Sequence, residues 1–593
     1  MSLKSRACFA CYGLGVIFTA LSARVVHVAI NQHEHYADLA RKKNFQRVTL
    51  IARRGSIQDA LGAYLARNEP LRNVILDGSL IKNPQKVAEL LSAPLQMSKD
   101  EILARIKPDR QHVVLKKKIS EEMGITIEKA IAKAGIKGVL LQQDFERIYP
   151  ARDLASHVIG FFGYEERDPS KGSSGFGGIE GVERSMDNWL TGKDGWRCFE
   201  RDGHGRELVI HGGEERPPRH GANVRLTLDL NLQQIVEAEL AAACKRLRPL
   251  RASVVMMKPD TGEILALANR PNFDPNEPGK AKPEQRFNHA VAGTYEPGST
   301  FKPVTAAGAI NSHLATLNTE LWLHNGVWAY GGKSLRDHHP YGTLTVGQII
   351  EKSSNIGAAK LAVQLGEERF SNYVRAFGFG QRTGVALPGE AAGTFRDRRD
   401  WTGISITRLA MGHEISTTPL QMLTATCAIA NGGRLMMPKL IHDIRDDDGN
   451  ILNAYQPQEI RQAVTAATAA KICEALVKVT GKKGTAPRAH IPGFNVGGKT
   501  GTAQKYENGR PSHEHHVTSF VGFVPAEKPA FCMIVVIDQA QVKPWEDTGG
   551  TIAAPIFRSV AEKSLAYLGI QPDLDLIQRE KEQELQLAKA GRN

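Results

Sequence analysis

Tyr295-Glu296-Pro297-Gly298-Ser299-Thr300-Phe301-Lys302 is the stretch that decides the fold. Pro297-Gly298 break the segment before them, and Pro303 is tolerated only in a first helical turn, so a helix is expected to begin at Ser299. Ser299 and Lys302 then stand at i and i+3, neighbours on one helix face. A serine hydroxyl attacks poorly by itself and needs a base within hydrogen-bond reach. No Ser-His-Asp arrangement is legible, which leaves Lys302 as the base. A free lysine titrates near roughly 10.4, so Lys302 serves near neutral pH only if burial, the helix N-terminal field and nearby cations favour its neutral form. Lys499 is a candidate for one such cation.

Two further strings complete the reading, Ser353-Ser354-Asn355 and Lys499-Thr500-Gly501-Thr502. Each alone says little: Ser-x-x-Lys occurs on many helix surfaces, Ser-Ser-Asn is a common helix cap, and Lys-Thr-Gly is an ordinary strand end. In this order they supply a nucleophile, a lysine one turn away, a second hydroxyl with an amide, and a cationic strand. That set is the equipment of serine acyl transfer. Gly497-Gly498 and Gly501 flank Lys499 where a substrate backbone is expected to approach closely.

The string ending in Lys302 resembles the active-site segment of class B penicillin-binding proteins. The resemblance extends along nearly the whole chain, through Arg53-Arg54-Gly55-Ser56-Ile57, Arg147-Ile148-Tyr149-Pro150, Gly178-Ile179-Glu180-Gly181-Val182-Glu183 and Thr548-Gly549-Gly550-Thr551-Ile552-Ala553-Ala554-Pro555. Ala60-Leu61 depart from the Arg-Asn pair usual after the first of these. The resemblance implies that Ser299 forms the acyl-enzyme, Lys302 takes its proton, and Ser353 relays a proton to the departing amine. It implies that Asn355 holds Lys302 and the substrate backbone. Lys499, Thr500, Gly501 and Thr502 then line a strand that reads the donor peptide and its carboxylate, and the N–H groups of Ser299 and Thr502 form an oxyanion hole.

Composition agrees with a folded, multi-domain chain. The 593 residues suggest about four domains at roughly 150 residues each, and 41% hydrophobic with 23% charged residues is ordinary for folded protein. A net charge of +13 points to an anionic membrane surface or polymer; no aromatic-basic nucleic-acid motif accompanies it. Lys4 and Arg6 precede an apolar run from Ala7 to Ala23 that resumes after Arg24. It sits at the short end of the roughly 17–25 residues that span a bilayer and is read as an uncleaved anchor. Ala20-Leu21-Ser22 offers the rival reading of a cleavage site. Arg41, Lys42, Lys43 and Arg47 follow closely, so charge counting leaves orientation to the family, which places the N-terminus in the cytoplasm and the bulk of the chain outside the inner membrane.

The seven cysteines, Cys8, Cys11, Cys198, Cys244, Cys427, Cys473 and Cys532, have no disulfide or zinc spacing, and their odd number leaves one thiol free. The last three read as small buried hydrophobes. His513, His515 and His516, after Asn508-Gly509-Arg510-Pro511, read as a mobile loop rather than a metal site, and His338-His339 as polar residues ahead of the Ser353 helix. No cofactor or metal is expected.

Helices are expected at 232–247 and around Ile556 to Leu565, a strand at 253–257 entering a hairpin, and a second hairpin from 519–524 to 531–537. These segregate as in α+β folds. The expected order is an anchor (1–30), an elongated mixed pedestal or dimerisation-like domain (31–221), a penicillin-binding, serine β-lactamase-like transpeptidase domain with an antiparallel sheet flanked by helices (222–569), and a charged, solvated tail (570–593).

The resemblance implies a D,D-transpeptidase that cross-links peptidoglycan stem peptides ending in D-Ala-D-Ala and is acylated by β-lactams. It implies a SEDS-type glycosyltransferase and other division proteins as partners, since no glycosyltransferase domain is recognised. Gly178-Ile179-Glu180 with Asp187-Asn188-Trp189-Leu190-Thr191-Gly192, and Ser353-Ser354-Asn355-Ile356-Gly357, look more like septal than elongation enzymes. The rivals are an elongation enzyme, a carboxypeptidase or β-lactamase, and a non-catalytic β-lactam sensor or scaffold. Pro388-Gly389-Glu390-Ala391-Ala392 lacks the setting expected of a water-activating glutamate.

Overall fold

The computed structural model describes residues 3–36, 45–110, 112–165, 175–201, 207–208, 215–507 and 510–590. Helix α1 (Leu3–Val26) continues into a short π-helical turn, His27–Asn31. Phe9, Tyr12, Val16, Phe18 and Leu21 on it are all exposed. The segment Ala7–Asn31 is long and apolar enough to cross a membrane. Arg41, Lys42 and Lys43 lie outside the described residues.

Contacts divide the chain into two compact units: Met1–Arg54, Asn68–Glu146 and Gly192–Gly221 form one, and Gly55–Arg67, Arg147–Thr191 and Ala222–Asn593 the other. The expected boundary at 221 follows chain order, whereas these contacts follow space. Ile57 pairs in parallel with Val224, and the buried Arg147 guanidinium donates to Glu183 (2.7 Å) and to the Gly55 carbonyl (2.7 Å). Removing either charge would leave the other buried and unpaired.

In the first unit, helices α2 (Pro84–Leu95), α3 (Lys99–Arg105) and α4 (Glu121–Ala134) begin at Asn83, Ser98 and Ser120, whose side chains accept from the first helical turn. Their apolar faces meet strand residues in a core that includes Val74, Leu76, Leu91, Ile102, Leu115 and Ile127.

The second unit carries a five-stranded antiparallel sheet. Its helices include α5 (Leu230–Leu247), α6 (His289–Ala292), α7 (Lys302–Asn311), α8 (Val346–Lys352), α9 (Asn355–Leu365), α10 (Pro419–Ala430), α11 (Ala466–Thr480), α12 (Ala553–Tyr567) and α13 (Leu574–Ala590). Its strands β1 (Arg251–Met257), β2 (Ile264–Arg270), β3 (Gly497–Glu507), β4 (Arg510–Val524) and β5 (Phe531–Asp538) lie in the order β2-β1-β5-β4-β3. β1 and β5 are apolar on both faces because helices cover both. Phe520 of β4 meets Phe557 of α12 edge to face at 4.8 Å; Ser519, one residue back, faces the opposite side. The expected helices, strand and hairpin stand where the pattern put them.

One expectation is corrected and a second, the charged tail, is refined. Residues 513–516 stand in β4 rather than a loop, because the ladder continues past Thr502↔Thr518 through Ala503↔Val517 and Gln504↔His516; Asn508 and Gly509 lie outside the described residues. The tail is a helix, α13. Asp573 caps it at the Leu576 N–H (3.1 Å) and donates its own N–H to Gly493 (2.9 Å), and the half-buried Ile577 packs over Gly493. The Asp573 cap and the partly buried Leu576 and Ile577 dock the start of an otherwise charged segment.

Phe557→Ala is expected to cost about 3–5 kcal/mol, measured as a shift of the denaturation midpoint of the second unit. A change below about 1 kcal/mol would show that the α12 face contributes little.

Candidate active site

Gly298–Phe301 is a single 3-10 turn that runs directly into α7, with Pro303 in the first turn as expected. The turn is held from several sides. The Gly298 N–H donates to the Gly412 carbonyl (3.1 Å), and the buried Thr300 hydroxyl donates to the Pro297 carbonyl (2.7 Å). Phe301 packs on Phe379 with ring centres 5.0 Å apart. The Glu296 carboxylate meets the Glu414 N–H (3.0 Å) and His413 Nδ1 (2.8 Å). Ser299 itself is half-buried, and its hydroxyl makes no hydrogen bond among the described residues, so it is free toward a substrate.

Lys302 is 1% exposed, and Lys499 equally so. Lys302 Nζ lies 2.6 Å from the Ser353 carbonyl, 2.7 Å from Asn355 Oδ1 and 3.2 Å from Ser353 Oγ. Lys499 Nζ lies 2.9 Å from the same Ser353 Oγ. Burial pushes the Lys302 amine down to about 7, against a smaller pull upward from Asp337. Lys499 is lowered well below the ordinary lysine range, by burial first and then by the charge of Lys302. The field between the two lysines therefore bears on Lys499, and it is loss of hydration that favours the neutral amine at Lys302.

Ser353 caps the end of α8 in the left-handed conformation, φ 60° and ψ 40°, a strained setting for a non-glycine residue. What holds it is Asp337, a residue that no local pattern singles out. Its carboxylate accepts from Ser354 Oγ (2.6 Å) and from the N–H groups of Asn355 and Ile356 (the latter 3.0 Å), capping α9 and pinning the motif. Asn355 is fixed at its other end by donation to the Arg336 carbonyl (3.0 Å).

The strand β3 closes the site. A Cβ at Gly501 would lie 2.9 Å from the Pro297 carbonyl and 2.5 Å from Ser519 Oγ, so glycine is what lets the strand touch the Ser299 turn. The reason for Gly497 and Gly498 differs from the expected substrate approach: Cβ atoms there would lie 2.3 Å from the Phe523 ring and 2.4 Å from the Phe520 ring. Thr485, which sequence reasoning missed, places its hydroxyl 3.2 Å from that of Thr500. The Gly549 N–H donates to Thr502 Oγ1 (3.2 Å), which ties the 548–555 string to the strand. Ser299, Lys302, Ser353, Asn355, Lys499, Thr500, Gly501 and Thr502 are thus brought together from three remote segments.

Other polar groups are committed elsewhere. Buried Glu390 accepts from the Thr383 N–H (2.6 Å) and hydroxyl (2.5 Å) and from the Gly384 N–H (3.1 Å), so its carboxylate is not free to activate water. His516 Nδ1 lies 2.9 Å from buried Asp547. Among the described residues no group of three or more His, Cys, Asp or Glu side chains is placed to hold a metal ion. All seven cysteines are free thiols.

Residues 252–562 match the model of the penicillin binding protein transpeptidase domain, and residues 49–226 that of the penicillin-binding protein dimerisation domain. Stage V sporulation protein D of Bacillus subtilis is 31% identical, over 95% of this chain and 86% of the relative. The probable peptidoglycan D,D-transpeptidase PenA of Neisseria meningitidis is 31% identical, over 96% of this chain and 94% of its own. The crystal structure of penicillin binding protein 2X from Streptococcus thermophilus superposes with a TM-score of 0.77 at 26% identity, covering 88% of this chain and 80% of the other. The chain belongs to the class B penicillin-binding proteins. It is a serine-type peptidoglycan D,D-transpeptidase, with a dimerisation domain ahead of its transpeptidase domain.

Asp337→Asn removes the charge that holds the Lys302 pKa up. The ascending limb of the acylation rate against pH is therefore expected to move to lower pH, with the plateau rate reduced as Ser354 and Asn355 lose their carboxylate. Stopped-flow measurement with a chromogenic cephalosporin checks this; a limb moved to higher pH would contradict the assignment.

Proposed function

We propose that Ser299 is the acylated residue and that the eight residues above act in the roles their geometry suits. The observation that carries this reading is a fully buried lysine, titrating near 7, one turn from a free serine hydroxyl. Neutral Lys302 takes the Ser299 proton as Oγ attacks the carbonyl carbon between the last two residues of a D-Ala-D-Ala stem. The N–H groups of Ser299 and Thr502 receive the oxyanion, which fixed donors stabilise without reorganising. Ser353, within reach of both lysines, passes a proton to the amine of the departing D-alanine as the C–N bond breaks. An amine from a second stem peptide then attacks the ester, returning the proton to Ser299 and forming the cross-link. The donor carboxylate lies against Lys499, Thr500 and Thr502; its negative charge offsets the cost of a buried ammonium there. β-Lactams enter as mimics of the donor.

The reading extends to cell division. The strings at 187–192 and 353–357 resemble septal enzymes, and likeness to a sporulation protein fits a role in building a dividing wall. The apolar helix Ala7–Asn31 serves as a single-pass anchor with the N-terminus cytoplasmic. The segment between anchor and transpeptidase domain acts as a pedestal, a surface through which a SEDS-type polymerase and division proteins would act.

In membranes labelled with a fluorescent penicillin, Ser299→Ala is expected to abolish labelling and Lys302→Met to slow it by roughly 10²–10⁴-fold. Labelling that survives Ser299→Ala would remove Ser299 as the nucleophile. A fluorescent fusion is expected at mid-cell in dividing cells; uniform sidewall signal would favour elongation.

A further inference from the structure

A second cavity, of about 330 Å³, opens on the transpeptidase sheet outside the acylation site. Strand register builds its floor. Arg251 of β1 faces Asp538 of β5, Asp538 faces Val517 of β4, and Val517 faces Ala503 of β3, so one row of side chains crosses four strands on a single face. Ser253 and Val536 pair in the next row on that face. The opposite wall comes from His289 of α6, the segment Gly293 to Glu296, and Pro419 of α10. None of the eight residues of the acylation site lines it, although Glu296 lies three residues before Ser299 and Ala503 directly follows Thr502.

The charged groups around the cavity other than Arg251 are already paired. Lys505 Nζ lies 2.8 Å from Asp538, Glu296 is held by His413 and the Glu414 N–H, and Ser253 Oγ donates to Asn269 (2.7 Å). Arg251 and His289 are left over, and the Tyr295 hydroxyl is likewise buried without a hydrogen-bond partner among the described residues. The exposed guanidinium of Arg251 makes no ion pair or hydrogen bond among the described residues. His289 is 8% exposed, and its Nε2 is buried without a hydrogen-bond partner among the described residues. Burial, aided by the charge of Arg251, pushes this imidazole down to about 4, so it is neutral at pH 7 and costs a hydrogen bond while it stays unpartnered. The rest of the lining is apolar at Ala252, Val517, Val536, Ala503 and Pro419 and polar at Thr294, Tyr295, Ser416 and Gln504. One unpaired cation and one unsatisfied buried imidazole beside an apolar patch of Val517, Val536 and Pro419 together describe the complement of a small molecule with one anionic end. The volume is at the lower limit of the roughly 300–1,000 Å³ typical of ligand pockets.

We propose that this cavity binds a small amphipathic carboxylate, with its anionic end on Arg251 and the His289 ring and its apolar end against Val517, Val536 and Pro419. The site is separate from the substrate groove, and the proposal does not depend on the roles assigned to Ser299 and Lys302.

The test uses 3-phenylpropionate as the probe and its amide, 3-phenylpropanamide, as the uncharged control, read by saturation-transfer NMR on the full chain in lipid nanodiscs. Binding is expected to persist after the groove is blocked with benzylpenicillin. It is expected to weaken about tenfold or more for the amide and for Arg251→Ala, and to be retained by Arg251→Lys. Normal acylation of Arg251→Ala by fluorescent penicillin shows that the variant is folded. Absence of binding to the wild type, loss of binding after penicillin treatment, or equal binding by Arg251→Ala would overturn the proposal.

Discussion

One hydroxyl approached by two buried amines sets the terms for the rest of this structure. Ser353 Oγ lies 3.2 Å from Lys302 Nζ and 2.9 Å from Lys499 Nζ, and neither lysine sees solvent. Two ammonium groups at that separation would repel with little water to screen them. The arrangement persists only if the pair carries little charge near neutrality, and an uncharged amine is what a serine nucleophile needs beside it. The catalytic competence and the electrostatic cost are the same fact seen from two sides.

The fold answers that constraint with rigid supports placed around the site. Asp337 pins the Ser353 motif and moderates the Lys302 pKa. Gly501 lets β3 approach the Ser299 turn closely. Gly549 ties the segment after the last hairpin to Thr502. Each support comes from a different stretch of chain, so the site forms only when the helices and the sheet have packed. Burial of Glu390 in a ring of backbone and hydroxyl donors removes a carboxylate that a hydrolase would need free.

Sequence made the candidate site residues legible because the chemistry proposed for them restricts their types: Ser299, Lys302, Ser353, Asn355 and Lys499 form a recognisable set. Elements with strong apolar periodicity, such as α5, β1 and α12, were legible for the same kind of reason. Asp337 was not, because its partners lie about twenty residues further along the chain and only the fold reveals the cap. Residues 513–516 read as a loop because their polarity was weighed and the ladder with β3 was invisible. The tail read as solvated because Leu574, Leu576 and Ile577 are few among many charges, yet one capped turn on Gly493 suffices to order it. Gly497 and Gly498 were noticed for a substrate and turn out to make room for two phenylalanine rings.

The most direct measurement is the protonation of Lys302 itself. With lysine side chains labelled at Cε and the Lys302 resonance assigned through Lys302→Arg, NMR titration of the unliganded protein is predicted to show ammonium converting to amine as pH rises through about 7. An amine that stays protonated up to the ordinary range near 10.4 would contradict the account.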